Sequence, residues 1–200
     1  MLKYTEAMIG FSEVPEEIAL CINISGCPIH CKGCHSPHLW QDIGTELKPV
    51  VLSDLIAKNQ GITCVAFMGG DSNPQEIVNL ASWVKNNTEL KVCWYSGKKL
   101  SDVAKYVNHI DYLKVGPYIE DKGGIDKATS NQKFYKIDHK GIVFHLPTTI
   151  ITVPIFEDIT YKFRNNEADN KSKSADRGMS PCNIRRWGLD RPQSSRRCTS

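Results

Sequence analysis

The sequence predicts an α/β protein, built as a partial (β/α) barrel or an open parallel sheet and followed by a disordered C-terminal tail. Short apolar runs that end in glycine recur along the chain, as buried parallel strands do, and helical patterns separate them. The chain has 200 residues, and a complete eight-fold barrel needs roughly 250. We therefore expect one domain over residues 1–164 and a tail over residues 165–200.

Four segments are predicted to form the parallel strands. Each is a continuous run of apolar and β-branched residues that closes with Ser-Gly, Gly-Gly or Gly-Pro. They are Ile18–Ile24, Thr63–Met68, Leu90–Tyr95 and Tyr112–Val115. Strands that alternate with helices imply right-handed crossovers, with the helices packed outside the sheet.

Capping residues and apolar spacing predict three helices between these strands. Ser53 is expected to cap the first helix, which ends near Asn59, and Ser101 is expected to cap the third. Pro74 suits the first position of the second helix. The residues that recur there at helical spacing are Ile77, Leu80, Ala81 and Val84.

The last part of the domain favours strands and then a helix. The predicted strands are Phe134–Ile137, Ile142–Phe144 and Thr148–Val153, and Phe156–Arg164 is predicted as a final helix. Residues 165–200 show no sustained periodicity and are rich in Ser, Arg, Asn and Asp, so we expect this tail to be disordered.

Charge and hydropathy exclude several classes of partner. The net charge of +3 arises in the tail, where eight Lys and Arg face four Asp and Glu. The near-neutral body argues against a nucleic-acid partner. No apolar run approaches the roughly 20 residues that span a bilayer, and the acidic N-terminal segment does not fit a signal peptide. We expect a cytoplasmic protein with no membrane partner.

The eight cysteines fall into three groups. Cys21, Cys64 and Cys93 lie within apolar runs and are expected to be core residues, and Cys182 and Cys198 lie in the tail. A reducing cytosol disfavours disulfides between them. The third group is Cys27, Cys31 and Cys34, which form a C-x3-C-x2-C pattern directly after the first predicted strand.

Three chemistries other than an iron–sulfur cluster have to be weighed for this pattern. A zinc site would take its fourth ligand from His30, His35 or His38, but no second ligand group follows. Residues 31–35 fit the C-x-x-C-H pattern of c-type haem attachment, which belongs mostly to exported proteins. A dithiol site at positions 31 and 34 would leave Cys27 without a role.

An iron–sulfur cluster uses all three thiolates. A four-iron cluster held at three corners has one iron open to an external ligand. A cluster that served only electron transfer would normally take a fourth cysteine. The pattern thus favours a cluster that does chemistry on a bound ligand.

The pattern resembles the signature of the radical S-adenosylmethionine (SAM) enzymes. Phe67–Asp71 reads Phe-Met-Gly-Gly-Asp at the end of the second predicted strand and is similar to the Gly-Gly-Glu/Asp motif of that superfamily. Cys34-His35 followed by Trp40 resembles the activases of glycyl radical enzymes. Asp111–Tyr118 and Ser130–Gln132 are similar to segments of the activases of anaerobic ribonucleotide reductases.

The resemblance implies a fold of the radical SAM type and two cofactors, a 4Fe-4S cluster and SAM. The cluster ligands would be Cys27, Cys31 and Cys34. The residues implied to bind SAM are Gly33, Cys34 and His35, which would border it, and Gly69, Gly70 and Asp71, which would contact its methionine end. No catalytic residue is expected beyond the cluster and SAM.

The resemblance also implies a reaction and a partner. Reductive cleavage of SAM would give methionine and a 5′-deoxyadenosyl radical. This radical would take a hydrogen atom from a backbone glycine in the large subunit of the anaerobic (class III) ribonucleoside-triphosphate reductase. An electron donor such as a flavodoxin is expected. The alternatives are another small radical SAM enzyme (an activase of a different glycyl radical enzyme, or a deazapurine synthase) and a zinc-binding interaction module.

Some neighbouring residues receive weaker expectations. Gly26 and Gly33 are expected to let the loop turn around the cluster, and Tyr95–Gly97 to line the site. Asn131 and Gln132 are expected to contact SAM or the partner. The histidines expected to be ordinary loop or surface residues are His30 and His38, and Trp83 and Trp94 are assigned to the core or its rim.

Overall fold

The computed structural model describes residues 1–145 and 150–164, which form an open sheet of eight strands. The strands are β1 (Lys3–Gly10), β2 (Ala19–Ile24), β3 (Thr45–Glu46), β4 (Cys64–Met68), β5 (Lys91–Tyr95), β6 (Tyr112–Val115), β7 (Lys133–His145) and β8 (Ile150–Asp158). The helices are α1 (Pro49–Lys58), α2 (Pro74–Asn87) and α3 (Leu100–Val103). Short 3-10 helices span Pro37–Trp40, Ala104–Tyr106, Glu120–Lys122 and Thr160–Phe163.

The sheet runs in the order β3-β1-β2-β4-β5-β6-β7-β8 and does not close into a barrel. Its centre, from β2 through β4 and β5 to β6, is parallel, as the sequence predicts. Both flanks are antiparallel, because β1 pairs with β2 and β3 on one side, and β7 pairs with β6 and β8 on the other. The open sheet is therefore the predicted architecture that forms, with antiparallel edges that were not predicted.

The two faces of the sheet differ in what covers them. All three helices contribute to the hydrophobic core on one face, where they pack against strand residues such as Phe67 and Trp94. The opposite face carries strand residues such as Cys21, Cys64 and Cys93, and loop and C-terminal residues such as Val14 and Ile159 pack over them. These three cysteines are at most 3% exposed, which confirms their assignment to the core.

The helices follow the prediction in position, with corrections at their first residues. Helix α2 begins at Pro74, as predicted, and Asn73 caps it by accepting a hydrogen bond from the Glu76 N–H. Helix α1 begins at Pro49 rather than after Ser53, because proline at the first position starts a helix without any need for a side-chain cap. Helix α3 begins at Leu100, before the predicted cap Ser101, and is a single turn.

The C-terminal part of the domain differs most from the prediction. Phe156–Arg164 is not a helix: β8 continues to Asp158, and one 3-10 turn follows. Pairing with β7 holds this segment extended, so tertiary contacts override its helical spacing. The predicted strands at 134–137 and 142–144 lie within β7. Residues 146–149 and the predicted disordered tail at 165–200 lie outside the described residues.

A search of the described residues for a helix both long enough and apolar enough to cross a membrane finds none.

Candidate functional site

The three clustered cysteines lie on the loop that follows β2, which we call the cysteine loop (residues 25–36). The loop starts at the carboxyl end of a central parallel strand, where α/β folds place their sites. The Gly26 N–H donates to the Gln41 carbonyl at 2.9 Å and the Cys27 N–H donates to the Leu39 carbonyl at 2.9 Å. These two bonds close the loop at its base. The loop carries three free, half-buried cysteines, Cys27, Cys31 and Cys34.

Two glycines give the loop its course. Gly26 and Gly33 both have a φ of +71°, a conformation that costs other residues about 1 kcal/mol or more. A Cβ at Gly33 would lie 3.3 Å from Glu120 Cδ and 3.4 Å from Tyr118 Cε1. The loop therefore turns at both glycines, and at Gly33 it lies against the segment that follows β6.

Backbone N–H groups point at two of the sulfurs. The Ser36 N–H donates to Cys34 Sγ at 3.4 Å. Burial raises the pKa of the Cys27 thiol, while hydrogen bonds from the Ile29 and His30 N–H groups act in the opposite direction. N–H groups aimed at sulfur stabilise thiolates and tune the iron–sulfur clusters they bind.

The donor set fits a cluster held at three corners. Within residues 1–145 and 150–164, no three Cys, His, Asp or Glu side chains converge closely enough to hold a metal ion. A four-iron cluster takes each thiolate on a different iron, so its ligands do not meet at one point. Three thiols on one closed loop, with N–H groups directed at sulfur, are the protein ligands that such a cluster requires.

A cavity of about 540 Å³ opens beside the cysteine loop. It is lined by one residue from the carboxyl end of each central strand and by residues of two loops. The strand residues are Asn23, Met68, Tyr95 and Lys114, and the others are Gly33, Cys34, His35, Ser36, Leu39 and Tyr118. Gly33, Cys34 and His35, the three residues predicted to border SAM, all line this cavity.

The Gly-Gly-Asp segment follows β4 and lies next to this cavity without lining it. Gly69 and Gly70 have φ values of +116° and +92°, and the Gly69 carbonyl accepts a hydrogen bond from Trp94 Nε1 at 2.8 Å. A Cβ at Gly70 would lie 2.5 Å from Ile77 Cδ1 in helix α2. Both glycines are therefore required by the backbone course, and Asp71 follows them as a buried residue that is 3% exposed.

Lys114 is a site residue to which sequence reasoning gave no role. It lies on the cavity side of β6, and its Nζ donates to the Gly116 carbonyl at 3.1 Å. Burial lowers its pKa to about 8, although the charges of Cys31 and Asp71 oppose this change. The signal in the sequence is a lysine on the inner side of an otherwise apolar strand, Tyr-Leu-Lys-Val.

Other predicted residues have contacts within the protein. The Asn131 amide donates to the Pro117 carbonyl at 2.9 Å and the Gln132 amide to the Gly116 carbonyl at 3.4 Å, so both support the loop after β6. His30 stacks on Trp40 with ring centroids 4.9 Å apart. None of these side chains lines the cavity beside the cysteine loop.

A second cavity, of about 640 Å³, lies on the face of the sheet opposite the helices. It is lined mainly by the loop between β1 and β2 and by the C-terminal 3-10 turn. Tyr95 lines both cavities, and its hydroxyl donates to the Glu13 carbonyl. The two cavities therefore adjoin across the Tyr95 side chain.

Comparisons with known proteins bear on this site. A family model described as a 4Fe-4S single cluster domain matches residues 17–136, a range that contains the cysteine loop and the four central strands. The anaerobic ribonucleoside-triphosphate reductase-activating protein of Enterobacteria phage T4 is 30% identical over 108 residues, which cover 48% of this chain and 67% of that protein. No solved structure matches the chain significantly.

Proposed function

Because the chain belongs to the family of 4Fe-4S single cluster domains, we propose that it is a radical SAM activase. Cys27, Cys31 and Cys34 would hold the cluster. The substrate would be a backbone glycine in the large subunit of the anaerobic ribonucleoside-triphosphate reductase, which would lose a hydrogen atom to a 5′-deoxyadenosyl radical. Similarity to an activating protein for that reductase supports the choice of partner.

One observation carries the proposal: the cysteine loop and a 540 Å³ cavity share the carboxyl edge of the parallel strands. When bound, a reduced cluster supplies the electron that cleaves the sulfonium of SAM into methionine and a 5′-deoxyadenosyl radical. The protein residues bind and orient SAM and shield the site from water. A cavity that reaches Cys34 has room for a ligand beside the ligating loop.

We assign the SAM contacts by their place around this cavity. Gly33, Cys34 and His35 line the cavity and would border SAM. The backbone of Gly69 and Gly70, which follows the cavity-lining Met68, would approach the methionine end. Lys114 brings a cationic group to the same cavity. A half-buried lysine there would attract a carboxylate more strongly than it would in water, because the local dielectric constant is lower.

The second cavity supports a protein substrate. It adjoins the first at Tyr95 and lies on the face of the sheet that the helices leave uncovered. An extended segment of another protein lying along this face would reach from the second cavity into the first. A flavodoxin-like electron donor and a cytoplasmic location complete the proposal.

The test starts from protein purified without oxygen and reconstituted with iron and sulfide. After reduction and addition of SAM, we expect 5′-deoxyadenosine from the wild type and none above background from Cys31→Ala. Cys64→Ala is the matched control: it also removes one thiol, but Cys64 lies in the core outside the loop, so product should persist. Adding the reductase large subunit should yield the electron paramagnetic resonance signal of a glycyl radical.

Three outcomes would contradict parts of this proposal. A colourless, zinc-loaded protein that makes no 5′-deoxyadenosine would favour the zinc-binding interaction module. Product from Cys31→Ala would remove that residue from the ligand set. Product without a glycyl radical on the reductase would redirect the search to another glycyl radical enzyme or a small-molecule substrate.

A further inference from the structure

The Asp71 side chain is engaged on both carboxylate oxygens. Ser96 Oγ donates to Oδ1 at 2.5 Å, and the Gly97 N–H donates to Oδ2 at 2.7 Å. Ser96 is 1% exposed and Asp71 3% exposed. A carboxylate that binds a ligand must present an oxygen to the ligand cavity, and Asp71 does not line the cavity beside the cysteine loop.

Further bonds join the loop after β4 to the loop after β5. The Lys98 N–H donates to Ser96 Oγ at 3.0 Å, which leaves the hydroxyl proton directed at Asp71. Lys98 Nζ donates to the Asp71 carbonyl at 2.8 Å. The two loops are thus tied by side-chain and main-chain bonds that all involve Asp71 or its partner Ser96.

Both joined loops lie against the cysteine loop. A Cβ placed on Gly97 would be 2.8 Å from Ile29 Cγ1, so the backbone at Gly97 packs directly on the side chain of Ile29. On the other side, a Cβ at Gly26 would be 3.8 Å from Ser72 Oγ. Ile29 lies between Cys27 and Cys31, and Gly26 precedes Cys27. The position of the tied loops therefore limits where the cysteine loop can lie.

We propose that Asp71 is a positioning residue, whose carboxylate fixes the loops after β4 and β5 against the cysteine loop and does not itself bind SAM. This inference rests on the proposed function for the identity of the ligand. It differs from the reading of the Gly-Gly-Asp motif in which the acidic side chain contacts the methionine end of SAM. Each oxygen of this buried carboxylate already accepts a hydrogen bond from the loop after β5, and Asp71 does not line the cavity beside the cysteine loop.

The test compares Asp71→Asn with Ser96→Ala in the full chain. An amide at position 71 faces one of the two donors with its own N–H group, and Ser96→Ala removes one bond while leaving Asp71 intact. In protein without a cluster, we expect either change to speed amide hydrogen exchange in residues 25–36 about tenfold, the effect of losing one charge-assisted hydrogen bond. In reconstituted protein, both should release iron to a chelator faster and shift the resonance spectrum of the reduced cluster.

SAM affinity separates positioning from direct contact. We expect the Kd of the cluster-loaded fraction to stay within about twofold of wild type in both variants. A rise of about tenfold or more in Asp71→Asn, with Ser96→Ala unchanged, would mean that the carboxylate binds SAM and would overturn the proposal. Unchanged exchange in residues 25–36 would overturn it equally.

A matched control is Asp111→Asn. The Asp111 carboxylate accepts from the Val92 N–H at 2.8 Å at the other end of β5, and we expect its loss to destabilise the fold without speeding exchange in the cysteine loop. Ser96→Thr keeps the hydroxyl and should restore wild-type exchange. If the wild type bound neither cluster nor SAM, the proposed function would fail, while the exchange measurement would still decide the role of Asp71.

Discussion

At Gly97 a side chain is excluded by the neighbouring loop and not by the backbone conformation. Its φ is not in the left-handed region, unlike that of Gly33, but the space a Cβ would need is filled by Ile29. A search for turn glycines finds Gly26 and Gly33 from the sequence. It does not find the reason for Gly97, because Ile29 is 68 residues away along the chain. Such a contact exists only once the strands are paired.

We expect Gly97→Ala to cost about 1–3 kcal/mol of unfolding free energy, since the added methyl must displace Ile29 or the loop that carries it. The double variant Gly97→Ala/Ile29→Ala should recover part of this loss, because it removes the clashing atoms. Urea denaturation of the single and double variants measures the coupling. Gly124→Ala is the control, since its Cβ would meet only the end of the Asp126 side chain. Strictly additive costs would contradict the contact.

At the scale of elements, Glu17 joins the amino ends of the central strands. Its buried carboxylate accepts hydrogen bonds from Lys91 Nζ at 2.5 Å, from Thr63 Oγ1 at 2.7 Å and from the Tyr112 hydroxyl at 2.8 Å. Thr63 directly precedes β4, Lys91 begins β5 and Tyr112 begins β6. Burial alone would raise the pKa of Glu17, but the three hydrogen bonds outweigh it, so the pKa lies below 4.5.

Glu17→Gln should lower the free energy of unfolding by about 2 kcal/mol at neutral pH, because it removes a charged acceptor from three donors. A lowered pKa in the folded state contributes stability above the unfolded value of 4.5 and loses it as the pH falls below that value. The difference between wild type and variant should therefore shrink below pH 4.5, measured by denaturation across pH. The adjacent, exposed Glu16→Gln is the control and should stay close to wild type. A difference that grew on acidification would contradict this role.

The elements differ in how far the sequence predicts them. The four central strands are found within one residue of their predicted starts, because strands buried on both faces require continuous apolar runs. Strand β1 was missed, since only parts of Lys3–Gly10 are shielded and its pattern mixes Glu6 with Met8. The final predicted helix is wrong because β7, a partner 13 residues long, holds the segment extended.

In the candidate site, too, local sequence predicts some features, while others depend on contacts between distant parts of the chain. The spacing of Cys27, Cys31 and Cys34 is local and could be interpreted from the sequence alone. The engagement of Asp71 by Ser96 and Gly97 depends on the pairing of β4 with β5, which places residues 25 or more positions apart at one sheet edge. Local sequence patterns thus predict the cysteine loop, but the hydrogen bonds between the neighbouring loops form only once the sheet is assembled.

At the scale of the whole molecule, the hydrophobic core under the helices and the candidate functional site lie on different sides of the sheet. The helices cover one face with a hydrophobic core, and both cavities and the cysteine loop lie toward the other face or its carboxyl edge. Under the proposed function, a segment of another protein would occupy these two adjoining cavities beside Cys34.

The cysteine loop, both cavities and the match to the cluster family all lie within residues 1–164. We therefore expect a chain that ends after Arg164 to fold and to retain the iron and sulfide content of the full chain after reconstitution. Iron analysis and the absorbance of the cluster measure this. A chain that ends after Gln132 is the contrast: it lacks β7 and the fully buried Phe134, so it should neither fold nor hold iron. Loss of the cluster from the first truncation would show that residues 165–200 contribute to holding it.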